Sequence, residues 1–165
     1  MRNAVLADLP DIMYMVQQTI EEMHSYNNLQ WDENYPRESD FAGDVEKGDL
    51  FVAERDGRVA GFVCINRVEP MEYKGLPWST DTPAFVIHRM VVGTAYRRQG
   101  VGAELISYTE ELAHRHNVTN LKTDTYSVNV NAQKIFEKCG YRKIGTMSFR
   151  GLENPFYCYE KFLAV

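Results

Sequence analysis

Only three cysteines occur among the 165 residues, Cys64, Cys139 and Cys158, widely spaced and in no paired motif. That spacing excludes a disulfide framework and a cysteine-based metal centre, and no metal is expected. No apolar run approaches the length of a membrane span, so no membrane partner is expected. Met1-Arg2-Asn3-Ala4 lacks the apolar core of a secretory leader, which makes cytoplasmic residence the expectation. Excess positive charge is also missing, since 18 Lys and Arg stand against 23 Asp and Glu for a net charge of -5. That balance gives no footprint for nucleic acid, whereas an acidic surface suits a cationic amine. Neither internal repeats nor low-complexity tracts appear. A hydrophobic content of 44% with 25% charged residues fits one domain, 1–165, with a sizeable core.

The most informative stretch has two glycines at its centre. Phe85-Val86-Ile87-His88-Arg89-Met90-Val91-Val92 reads as an apolar strand, and Arg97-Arg98-Gln99-Gly100-Val101-Gly102-Ala103 as a glycine loop that opens a helix. Val101, Leu105, Tyr108 and Leu112 recur at helical spacing and form one apolar stripe. Gly100 and Gly102 let the main chain turn tightly and approach a ligand closely. The helix start leaves amide N–H groups unpaired at the positive end of the dipole, an anion cradle suited to phosphate. A glycine pair before a helix is also met where a turn needs it for sterics alone. No Gly-Lys-Ser/Thr follows, and the third glycine of a dinucleotide fingerprint is absent. Nucleoside triphosphates and NAD are therefore poor fits.

Elsewhere the pattern alternates between strand and helix. Arg2 to Leu6 reads as a strand, and Asp8 with Pro10 as the cap and first turn of a helix carrying Ile12, Val16, Ile20 and Met23. A second helix is expected from Ser39 to Lys47, ending at Gly48. Leu50 to Glu54, an Asp56-Gly57 turn and Arg58 to Val68 make a hairpin. Glu69 to Pro83 is a loop long enough to be functional or mobile. Leu121 to Tyr126, Arg142 to Thr146 and Phe156 to Phe162 read as strands, with Gly151 to Pro155 as a turn. The order fits one α/β domain with a mixed sheet.

A second motif follows in Asn129-Val130-Asn131-Ala132-Gln133-Lys134-Ile135-Phe136-Glu137-Lys138-Cys139-Gly140-Tyr141, with an apolar helix face and Gly140 where a left-handed cap is wanted. Together the strand, the Gly-x-Gly loop, the helix, the next strand and Asn-x-x-Ala with Phe-x-x-x-Gly-Tyr resemble the GNAT superfamily of acyl-CoA-dependent N-acyltransferases. The motifs span Phe85 to Tyr141. The resemblance implies a single-domain α/β fold, with a mixed, mostly antiparallel sheet of about seven strands flanked by about four helices. It also implies acetyl-CoA as co-substrate, with its pyrophosphate over the loop Arg97, Arg98, Gln99, Gly100, Val101, Gly102 and Ala103. The pantetheine arm would pair with the main chain near Met90 and Val92, an amide near Met90 or Val91 would polarise the thioester carbonyl, and Asn129 would hold the arm from the second motif.

An alkylamine with a pKa of about 10.4 is protonated at neutral pH, so acetyl transfer to nitrogen needs a proton acceptor. His88 lies two residues before Met90 on the same strand face and suits that role, or is a half-buried histidine bonded within the sheet. Many superfamily members carry a tyrosine four residues before the glycine to protonate the leaving thiolate, and Phe136 stands there. Its ring can pack against the pantetheine but has no proton to give. Either the thiolate leaves unassisted, or Tyr126 or Tyr141 substitutes; both are equally core aromatics. Asp124 at the end of its strand reads as an ammonium ligand, a base or a solvated carboxylate. Trp31, Tyr35 and Trp78 are expected to line the acceptor pocket or to pack in the core. The expected function is acetyl transfer to a primary amine of a small molecule by direct attack in a ternary complex. A protein N-terminus or lysine as acceptor, and a non-catalytic acyl-CoA-binding module, stay open. Many relatives pair as homodimers; the strand Phe156 to Phe162 would serve such pairing or complete one monomer's sheet.

Overall fold

The structure is a computed structural model that describes residues 1–165. In chain order the elements are β1 (Arg2–Asn3), α1 (Leu9–Ser25), α2 (Glu38–Lys47), β2 (Leu50–Arg55), β3 (Arg58–Asn66), β4 (Ala84–Val92), α3 (Val101–Arg115), β5 (Asn120–Tyr126), α4 (Val130–Lys138), β6 (Arg142–Met147) and β7 (Phe156–Phe162). Hydrogen bonds order the strands β1-β2-β3-β4-β5-β7-β6 in one sheet. Pairing is parallel between β4 and β5 and antiparallel for β1/β2, β2/β3, β5/β7 and β6/β7. This is the mixed α/β architecture of seven strands and four helices that the motifs implied.

Turn chemistry places several boundaries. Asp56 and Gly57 both hold positive φ, 51° and 74°, which a type I′ connection between β2 and β3 requires. Gly48 closes α2 in the left-handed region at φ 74°. Asp8 departs from expectation, because its carboxylate does not cap α1. It accepts the amide of Val5 and takes a bidentate pair from Arg2, each contact at 2.8 Å. The charge-assisted fork outcompetes a lone cap bond, so a single 3₁₀ turn Leu6–Asp8 replaces the end of the expected strand and β1 shrinks to two residues.

Contacts divide the chain into two compact units, one of Met1–Ile65 with Arg89–Tyr108, the other of Asn66–His88 with Thr109–Val165. Strand β4 and helix α3 each run through both. The first unit centres on Ile12, Phe41, Leu50 and Phe62, all fully buried, with Phe41 edge-on to Phe62 at 5.2 Å. The second centres on Tyr73, Val86, Tyr126, Phe156 and Cys158. There β7 lies between β5 and β6, so Phe156–Phe162 completes the chain's own sheet.

The segment from Glu69 to Pro83 is a strap. It opens with a 3₁₀ turn, Met71–Tyr73. Glu69 pairs with Lys122 at 2.8 Å, the Trp78 indole donates to the Tyr73 carbonyl at 2.9 Å, the Ser79 amide donates to Glu160 at 3.1 Å, and Asn120 donates to the Thr82 carbonyl at 3.3 Å. Of the two expectations for this loop, mobility is the one its bonds oppose. No helix is long and apolar enough to cross a membrane.

Candidate active site

In the first unit, the glycine loop joins β4 to α3. Arg98 and Gly100 both sit at positive φ, 62° and 78°, and a Cβ built on Gly100 would meet no atom within 4 Å. The loop is therefore bent by backbone conformation and open to solvent at that point. The first helical bond of α3 runs from the Glu104 amide to the Gly100 carbonyl at 3.0 Å. Val101, Gly102 and Ala103 thus present amides with no intrahelical acceptor. Glu104, one turn in, would repel an anion, but Arg55 holds it at 2.6 Å. Arg97 is committed to Glu22 through two bonds of 2.9 and 2.5 Å, which leaves Arg98 as the exposed cation of the loop. Gln99 bonds back to the Ala95 carbonyl at 3.3 Å.

Upstream, the Gly93 amide donates to the Ala60 carbonyl of β3 at 2.8 Å. Alternation of main-chain groups then turns the amides of Met90 and Val92 away from β3. Val91 is buried, and its carbonyl lies so near β3 that a Cβ on Gly61 would come within 2.8 Å of it. Gly61 is the residue that permits this approach.

In the second unit, the parallel ladder runs from Ala84↔Asn120 to Ile87↔Thr123 and ends there. The Thr123 hydroxyl closes it with a bond to the Ile87 carbonyl at 3.1 Å. His88 and Asp124 are the first residues past that end. Val86 and Tyr126 pack in one cluster with Tyr73, so alternation puts His88 and Asp124 on that same face. His88 Nε2 lies 2.6 Å from Asn66 Oδ1. An amide oxygen only accepts, so Nε2 carries the proton and Nδ1 is the basic nitrogen.

Asp124 is half-buried, and Oδ2 accepts the Tyr73 hydroxyl at 2.6 Å. Desolvation pushes this carboxyl up to about 6, with the Tyr73 bond opposing and nearby Glu72 adding to the rise. Tyr73 is buried, and its phenol is raised well above the ordinary range, first by desolvation and then by Asp124. Lys122 lies on the same strand face but is held by Glu69 and by the Trp78 ring, 4.5 Å from its centroid.

The other predicted site residues fall in several places. Tyr126 is buried, and its hydroxyl oxygen accepts both the amide and the side-chain nitrogen of Asn154 at 3.2 Å. Phe136 packs against Tyr141 and Tyr159 with ring centroids 5.7 and 5.8 Å apart. Tyr159 alternates with Phe156 and Cys158 on β7, so this group lies on the face opposite Asp124 and Tyr126. The Tyr141 hydroxyl is buried without a partner, and burial raises its phenol above the ordinary range. Asn129 caps α4 by accepting the Ala132 amide at 3.2 Å. Trp31 is 4% exposed within the first core. Tyr35 is half-buried and accepts from Arg89 at 2.8 Å. Trp78 stacks on Tyr73 at 4.9 Å. No group of histidine, cysteine and carboxylate side chains is arranged to hold a metal ion.

Two partners were not foreseen, Asn66 and Tyr73. Asn66 carries no motif, but it ends β3, the strand beside β4 and hence beside His88. Tyr73 was visible only as one of the aromatics in an unusually long loop. A groove of about 1040 Å³ lies along α1 and the segment before α2, with Met13, Ile20, Glu21, Asp32 and Glu33 among its lining. None of the residues above belongs to it.

Residues 15–141 match the model of the Acetyltransferase (GNAT) family. The uncharacterized N-acetyltransferase YesJ of Bacillus subtilis (strain 168) is 25% identical over 146 residues, or 86% of this chain and 81% of its own. A solved structure from Staphylococcus aureus Mu50 is 27% identical, with a TM-score of 0.78 over 99% of this chain and 98% of that one. A GNAT-family acetyltransferase from Streptococcus agalactiae 2603 shares the fold at a TM-score of 0.85 and 24% identity, covering 99% of this chain and 95% of that one.

Proposed function

Because this chain belongs to the GNAT acetyltransferase family and is an acyl-CoA-dependent N-acyltransferase, we propose that it carries an acetyl group from acetyl-CoA to the primary amine of a small molecule, by direct attack in a ternary complex. The reading takes the chain as one acetyltransferase domain, 1–165, acting in the cytoplasm. Its main support is the end of the β4/β5 ladder at Ile87↔Thr123, followed at once by two ionisable residues on one face, His88 and Asp124.

The glycine loop fits the donor. Three amides without intrahelical acceptors, an exposed Arg98 and an open approach at Gly100 suit a pyrophosphate. Met90 and Val92, with main-chain groups turned from β3, are the pairing sites for the pantetheine amides, and an amide at Met90 or Val91 stabilises the developing oxyanion.

Proton transfer falls to the second unit's residues. His88, with Nε2–H held by Asn66, keeps Nδ1 as the base. Tyr126 is the donor to the thiolate in this reading. Its oxygen accepts twice from Asn154 and its own proton stays to be given. Tyr141 is set aside because it packs under Phe136 on the opposite face. Incubation of acetyl-CoA with a panel of primary amines, peptide N-termini and lysine peptides, with free thiol as readout, tests the reading. Thiol released only with small amines supports it. Release with peptides alone makes proteins the acceptor, and binding without release makes the chain an acyl-CoA-binding module.

A further inference from the structure

Asp124 has a pairing problem that the fold leaves unsolved. Its one protein partner is a neutral hydroxyl, that of Tyr73, and none of the ion pairs in the chain includes it. The cation next along its strand face, Lys122, is already taken by Glu69 and Trp78. A half-buried carboxylate without a counter-ion is costly when ionised, and such groups are retained where a ligand supplies the missing charge. The strap also fixes Tyr73 firmly, with its ring 1% exposed and its carbonyl held by the Trp78 indole, so Oδ2 is occupied and Oδ1 is the oxygen left for a ligand.

We propose that Asp124, positioned by Tyr73, binds the ammonium of a small primary alkylamine and takes the first of its two protons. The inference rests on the acetyltransfer reading above and names the charge state and anchor of its acceptor. An alkylammonium must lose two protons to become an amide. The first passes from nitrogen to Asp124 Oδ1, which frees the lone pair and turns the carboxylate into a neutral acid. Nitrogen then bonds to the thioester carbon and the carbon–sulfur bond breaks. The second proton leaves nitrogen for His88 as the amide forms, Tyr126 protonates the CoA thiolate and is reprotonated from solvent, and Asp124 and His88 return their protons to solvent. The electron pair of the broken bond stays on sulfur, so no oxidant or reductant is needed. His88 then serves the second proton, which gives the two ionisable residues separate tasks. Groups facing Asp124 are Tyr73 and Glu72 from the strap, Lys122 with Glu69 on its own face, His88 from β4 and Cys158 across the ladder on β7.

The test uses the full chain saturated with CoA, n-butylamine as the probe, and the variants Asp124→Asn and Tyr73→Phe. Calorimetry is expected to show n-butylamine binding to the wild type and at least tenfold weaker binding to Asp124→Asn, with acetyl-CoA affinity equal in both. For Tyr73→Phe, loss of the phenol's bond removes a stabiliser of the carboxylate, so the acid limb of kcat/KM moves to higher pH. Equal amine affinity in Asp124→Asn, or no n-butylamine binding to a wild type that does bind acetyl-CoA, overturns the assignment while the acetyl-CoA reading stands. An unmoved pH profile in Tyr73→Phe overturns the role of Tyr73. Failure of the wild type to bind acetyl-CoA overturns the acetyltransfer reading instead.

Discussion

His88 and Asn66 meet at 2.6 Å, ring Nε2 against amide Oδ1, across neighbouring strands β4 and β3. This bond selects the tautomer that leaves Nδ1 basic. His88→Ala is expected to lower turnover roughly 10²-fold at neutral pH with little change in acetyl-CoA affinity. Asn66→Asp places a negative charge beside the ring and favours imidazolium, so activity should rise to its plateau at higher pH than in the wild type. A near-native rate for His88→Ala across the pH range would return the residue to a purely structural role.

Gly100 holds φ 78° and its Cβ would face open space. Gly100→Ala therefore strains the loop without a clash inside the protein, while placing a methyl where a pyrophosphate would lie. Acetyl-CoA affinity by calorimetry should fall about tenfold or more, against a melting temperature that changes little. Unaltered affinity would move the donor site away from this loop.

Phe136 lies with Tyr141 and Tyr159 on one face of the sheet, and Tyr126 lies on the other. Phe136→Tyr is accordingly expected to leave single-turnover rates within about twofold, whereas Tyr126→Phe should cost on the order of 10². If neither change alters the chemical step, the thiolate departs without acid help.

Asp124 makes opposite demands on stability and on activity. Its folded-state carboxyl is pushed up from 3.8 to about 6, so the folded state holds a proton that the unfolded state has released. Stability then falls as pH rises from about 4 to about 6, and above that the folded state bears the full cost of the buried charge. Asp124→Asn removes the charge. Chemical denaturation at pH 7 to 8 should show the variant more stable by on the order of 1–3 kcal/mol, with the gain vanishing towards pH 4. A less stable variant at pH 8 would assign Asp124 to scaffolding.

Arg89 and Asp44 form a buried pair, with side chains 13% and 10% exposed. Asp44→Ala leaves the guanidinium buried and should lower unfolding free energy by about 3–5 kcal/mol in urea titration. A loss below about 1 kcal/mol would show that Tyr35, which accepts from the same arginine, suffices alone.

Features governed by a few neighbouring residues were legible in the chain. Gly48, the Asp56-Gly57 turn and the Gly-x-Gly loop each announce a positive φ or an open helix start, so element order and the open start of α3 follow from local chemistry. Asp8 shows where that logic stops, because Arg2 competes for the same carboxylate and wins on charge. The bond between Tyr73 and Asp124 joins residues 51 apart, and nothing at either position signals the other. The same holds for His88 and Asn66, which meet only because β3 and β4 are neighbours. Trp31 read as either a pocket or a core aromatic, because aromatic identity does not distinguish the two settings; it lies in the first unit's core.

The central claim is acetyl transfer to a small primary amine, and amine-dependent thiol release measured together with the mass of the product tests it most directly. Wild-type protein with acetyl-CoA and n-butylamine should yield N-acetylated amine and free CoA in equal amounts, with Asp124→Asn and His88→Ala both slowed. Acetyl-CoA that binds tightly, yet yields no acetylated product with any primary amine tried, would contradict it.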